Sequence, residues 1–107
     1  MKIGIVLNSN DPETAWSACR FGSTAIGENH EVTMFLLGPG VEIESIVHKR
    51  FDAPKALKKY LDNGGNILTC GTCLAVRKME EGVNCQINKM TDLVSLVAES
   101  DKTITFG

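Results

Sequence analysis

Gly65-Asn66-Ile67-Leu68-Thr69-Cys70-Gly71-Thr72-Cys73 is the stretch on which the fold turns. Asn66 to Thr69 read as a short buried strand: three of the four residues suit a pleated core and Gly64-Gly65 precede them as a break. Cys73 then opens a helix running to about residue 80, ended by Gly82. A strand that passes into a helix through a tight turn is half of a β-α-β unit. Its carboxyl end is where open α/β sheets bind and react.

The flanking sequence repeats the same alternation. Residues 2–7 are a compact apolar run halted by Asn8-Ser9-Asn10. Asn10 or Asp11 caps the helix that follows, with Pro12 in its first turn and Glu13 complementing the dipole. Ala15, Ala18, Cys19, Gly22, Ala25 and Ile26 recur at helical spacing and give that helix a small-residue face suited to close packing on a sheet. Glu31 to Leu37 form a second strand, stopped by Gly38-Pro39-Gly40. Residues 41–51 admit two readings, a short edge strand built on Val41, Ile43, Ile46 and Val47 or a packed loop. A helix over 53–63 presents Ala56, Leu57, Tyr60 and Leu61 on one side. Past the cysteine turn, a helix over roughly 90–99 is capped by Asn88 or Thr91 and turns Leu93, Leu96 and Val97 inward. Lys102 to Phe106 supply a last strand. Strands separated by helices predict an α/β domain with a mostly parallel sheet covered on both faces.

The chain's 107 residues fit one domain, 1–107, and 43% hydrophobic residues suffice for its core. A formal charge of −2 gives no basic footprint for nucleic acid, and no apolar run reaches membrane-spanning length. The apolar run after Met1-Lys2 is too short for a signal peptide, so a cytoplasmic protein is expected. The four cysteines are then expected as reduced thiols, not a disulfide framework.

Cys70 and Cys73 are the candidate catalytic residues. A thiolate is the reactive form of cysteine, and a helix N-terminus lowers a thiol's pKa. Gly71 lets the chain turn tightly between the thiols. Cys70, just ahead of the helix, is expected to be the exposed and faster-reacting thiol, with Cys73 one turn further in. Three bland readings stand beside this one. Both thiols are inert core residues, since cysteine is among the most buried residue types. A zinc site drawing on Cys85, His30 or His48 follows no familiar spacing. A thioredoxin-like fold carries its CxxC early, not two-thirds along. No metal or cofactor is called for. Cys19 reads as core, Cys85 is open, Trp16 as packing or an oligomer contact, and His30 as a surface cap. His48 and Lys49 read as a solvated basic loop, and Arg77 and Lys78 as charge balance for the motif helix.

Taken in order, Met1 to Val6, Gly27-Glu28-Asn29-His30-Glu31-Val32, Gly38-Pro39-Gly40-Val41, Gly65 to Cys73 with Arg77, and Met90-Thr91-Asp92-Leu93-Val94 through Ile104-Thr105-Phe106 resemble the DsrE-like sulfur-relay family, which includes DsrE, DsrF and TusD subunits. The resemblance covers nearly the whole chain. It implies a flavodoxin-like subunit that assembles as trimers or hexamers, and a cysteine persulfide, on Cys70 by position, passed between donor and acceptor proteins. Cys73 is a second thiol where a TusD-like helix can carry a small apolar residue. Three functions follow for test: a sulfur relay, a binding oligomer of the same fold without turnover, and a dithiol redox protein using Cys70 and Cys73.

Overall fold

The structure, a computed structural model, describes residues 1–79 and 87–107. Five strands, β1 Lys2–Leu7, β2 Glu31–Leu36, β3 Asn66–Cys70, β4 Ile87–Asn88 and β5 Lys102–Phe106, form one sheet in the order β4-β3-β2-β1-β5. Every pairing is parallel. The helices are α1 Pro12–Gly27, α2 Ala53–Asp62, α3 Gly71–Val76 and α4 Met90–Glu99, and a 3-10 segment spans Gly38–Ser45.

Parallel register lines up the apolar residues that alternation selects. Ile5 lies beside Met34 and Leu7 beside Leu36. These side chains, all fully buried, share the face on which α1 packs, since Gly22 of that helix abuts Ile5. On the opposite face Gly4 admits Leu96 of α4 and Ser100, which caps that helix. That side is covered more thinly: α4 has no buried residue, and Val97, expected inward, is half-exposed.

Caps fix where α1 and α2 begin. The Asp11 carboxylate accepts from the Thr14 amide, and the Asp52 carboxylate from the Lys55 amide, each ahead of a proline in the first turn. Tyr60 locks α2 to the sheet from within the core, its hydroxyl donating to the Asn66 carbonyl at 2.6 Å with the Val32 carbonyl sharing the proton at 3.3 Å.

One open reading is decided and two expectations need correction. Residues 41–51 form no strand: Val41 and Ile43 are buried by the 3-10 segment, whereas Val47 is 95% exposed. The sheet's edges are β5 and the two-residue β4, which is too short to carry a period in sequence. The motif helix covers 71–76, not 73–80, and Gly82, its expected terminator, lies outside the described residues. Lys89 is the N-cap residue of α4, with Asp92 reaching back to its amide at 2.8 Å, so neither Asn88 nor Thr91 caps it. Among the described residues no helix is long and apolar enough to cross a membrane.

Candidate functional site

All strands being parallel, their carboxyl ends converge on one edge, and the cysteine turn lies there. Cys70 ends β3 and is the N-cap residue of α3. Its Sγ accepts a hydrogen bond from the Cys73 amide at 3.4 Å, the bond an N-terminal oxygen side chain makes in an ordinary cap. Cys73 in turn receives the Gly38 amide on its Sγ at 3.2 Å, across from the loop that follows β2. Gly38 can aim its amide this way because its φ is +54°, a conformation that a side chain would strain. Gly71 is needed for a different reason than a turn. Its φ is not left-handed, but a Cβ there would come within 2.6 Å of Ile87 on β4.

The exposure of the two thiols is the reverse of that expected. Cys70 is only 3% exposed, whereas Cys73 is partly open to solvent. The sequence order placed Cys70 nearer the loop, but the strand end holds it under the helix it caps. Burial raises the Cys73 thiol above its ordinary 9.0, and the adjacent Cys70 side chain, within hydrogen-bonding reach, raises it further. The Gly38 amide and the charge of Arg77 act in the opposite direction without cancelling this. Cys73 therefore rests as a thiol near neutral pH. With six residues, α3 contributes little dipole, and the anion-stabilising groups are the individual amides.

Arg77 ties the site together. Its Nη1 donates to the Cys73 carbonyl at 3.3 Å, and its Nε pairs with Glu42 of the 3-10 segment at 2.6 Å. That hydrogen bond, with a second from Asn10, holds the Glu42 carboxyl below its usual range. The bridge clamps the loop carrying Gly38 against the helix carrying Cys73, a more specific task than balancing helix charge. Gly38 and Glu42 were not legible as site residues; only the four-residue step from Cys73 to Arg77 hinted at a contact.

The other candidates stand apart. Cys19 is fully buried in the core, and burial pushes its thiol up to about 12. His30 meets the N-terminal amine at 2.9 Å. His48 stacks on Phe51 and accepts from the Arg50 and Phe51 amides, so its ring is engaged within its own turn. Trp16 packs on Phe51 and carries Arg20 over its ring. Cys85 lies outside the described residues. Among the described residues no three His, Cys, Asp or Glu side chains are grouped to hold a metal ion.

Comparison with known proteins adds a family. The DsrE/DsrF-like family matches residues 1–106. The uncharacterized protein MJ0989 of Methanocaldococcus jannaschii is 34% identical over 100 residues, covering 88% of either chain. The uncharacterized protein MK0008 of Methanopyrus kandleri is 33% identical over 102 residues, covering 88% of this chain and 83% of its own.

Proposed function

The chain belongs to the DsrE/DsrF-like family, and on that premise we propose that it is a sulfur-relay protein, carrying sulfur as a persulfide on the Cys70–Cys73 pair and passing it to a partner protein. The observation that supports this most directly is the pairing of a partly open thiol with a buried one, each with a backbone amide directed at its sulfur. The open thiol, Cys73, meets the donor. Its thiolate attacks the outer sulfur of a donor R–S–SH; the donor's S–S bond breaks and R–S⁻ leaves with the electron pair and takes up a proton. The Cys70 thiolate then attacks the outer sulfur of Cys73–S–SH, giving Cys70–S–SH and a free Cys73 thiolate. No net oxidation occurs, and the sulfur is stored where water and small thiols reach it poorly. Such chemistry suits a reducing, cytoplasmic setting.

Intact-mass analysis after inorganic polysulfide treatment tests the reading. A gain of one sulfur, mapped to Cys70 in the wild type and to Cys73 in Cys70→Ser, is expected. The adjacency of the thiols also suits a dithiol switch. Loss of two hydrogens without any sulfur gain would replace the relay by that switch, and an unchanged mass would leave a binding subunit without turnover.

Family members commonly form oligomers, and homo-oligomeric assembly, as a trimer or hexamer, is part of the proposal. Met90, Val94 and Val97 recur at helical spacing as exposed apolar residues of α4, with Ile87 of β4 also exposed, and a second copy covering them would remove them from water. Light scattering should give a multiple of the 11.6 kDa chain, and Val94→Glu should reduce that mass. A monomeric wild type would remove assembly from the proposal.

A further inference from the structure

Away from the thiols, α1 and α2 enclose an open groove of about 460 Å³, within the size range of small-ligand sites. Arg20, Arg50, Lys55 and Lys59 line it, four of the chain's eleven lysines and arginines. Among the described residues none of the four is paired with a carboxylate; the ion pairs there are Lys58–Asp62 and Arg77–Glu42. Asp52 is the one acid on the lining, and its carboxylate is turned to the Lys55 amide as the cap of α2. A chain of net charge −2 thus gathers four cations against one carboxylate around a concavity.

One of the cations is held in place through its side chain, and a second is anchored only through its backbone. The Arg20 guanidinium lies 4.4 Å from the centre of the Trp16 ring, and Phe51, 5.1 Å away, buttresses that ring. Arg50 is fixed at its backbone, where its amide donates to His48 Nδ1 at 3.1 Å. Lys55 and Lys59 stand one turn apart on the same side of α2. The hydroxyls of Ser23 and Thr24 add neutral donors.

From this arrangement we infer that the groove binds a diphosphate or triphosphate group, either as inorganic pyrophosphate or as part of a nucleotide. Guanidinium groups match phosphate oxygens two at a time, and the lysines supply point charges for the remainder. A polyphosphate carries the three or four negative charges that four cations can neutralise; a single phosphate does not.

Trp16 is the chain's one tryptophan and sits in the groove, so its fluorescence reports occupancy directly. Titration of the full chain with pyrophosphate, ADP, AMP and sulfate at low salt is the experiment. Saturable change with pyrophosphate and ADP is expected, weaker with AMP and sulfate. Arg50→Ala and Lys59→Ala should each weaken binding by about tenfold. Lys58→Ala, which removes a lysine paired with Asp62 outside the groove, should leave it unchanged. ADP binding more tightly than pyrophosphate identifies a nucleotide, and equal binding identifies the diphosphate alone. No saturation by millimolar ligand, sulfate equalling pyrophosphate, or equal weakening by Lys58→Ala would each overturn the inference. Circular dichroism of the exposed-site variants separates lost binding from lost folding.

Discussion

Among the three cysteines of the described residues, native alkylation with iodoacetamide should modify Cys73 first, Cys70 more slowly and Cys19 last. Cys19 has no exposed surface, and its thiol is raised from 9.0 to about 12. Three pKa units cut the thiolate fraction near neutrality about a thousandfold before access is counted. Cys70, at 3% exposure, reacts only when the carboxyl edge opens locally. An opening that costs even ~1.4 kcal/mol slows it about tenfold relative to an open thiol. Cys73 needs no such opening, yet its raised pKa makes it slower than a free cysteine at neutral pH, with a rate still climbing as pH passes 9.0. Trypsin puts Cys19 in peptide 3–20 and both site thiols in peptide 60–77, where fragment ions separate them. Label on Cys70 ahead of Cys73, or on Cys19 at a comparable rate in the folded chain, would refute the burial order and the relay sequence built on it.

Replacing Arg77 by Ala removes the positive charge that draws the Cys73 thiol down, so the midpoint of its alkylation–pH profile should move up; an unmoved midpoint would show that Arg77 does not act on the thiol. Gly22→Ala sets a Cβ 2.6 Å from the fully buried Tyr60 ring, which the hydrogen bonding of its hydroxyl prevents from yielding. Overpacking of ~1–3 kcal/mol should outweigh the ~1 kcal/mol gain in helix propensity and lower the urea midpoint, whereas Gly27→Ala, with nothing within 4 Å, should leave it level or raise it. Burial raises the folded-state pKa of both Cys19 and Tyr60, so the stability they contribute is complete below their ordinary values of 9.0 and 10.0 and is lost as pH climbs toward the folded values. The urea midpoint should therefore hold level up to about pH 9 and fall as pH rises from there toward about 12, and a flat profile over that range would contradict the burial of these groups.

The sequence by itself determined the layers and the place of the thiols. Apolar runs at 2–7, 31–36 and 66–69 are buried on parallel strands because their alternate residues have no other way out of water, and the Asp11-Pro12 and Asp52-Ala53-Pro54 signals start helices through contacts only a few residues long. Such short-range chemistry is written locally. Tertiary structure alone decided the rest. Two residues of β4 have no period to read, and they pair only because β3 is already in place. Whether Cys70 or Cys73 faces water depends on how α3 sits over the strand end, a matter of packing between segments and not of spacing within one. Glu42 and Arg77 lie 35 residues apart and meet through the fold of the 3-10 segment. The cationic groove is the clearest case: Arg20, Arg50, Lys55 and Lys59 are dispersed over two helices and a loop in a chain of net negative charge. Net charge sums over the surface and hides its arrangement, and only the packing of α1 against α2 brings like charges together.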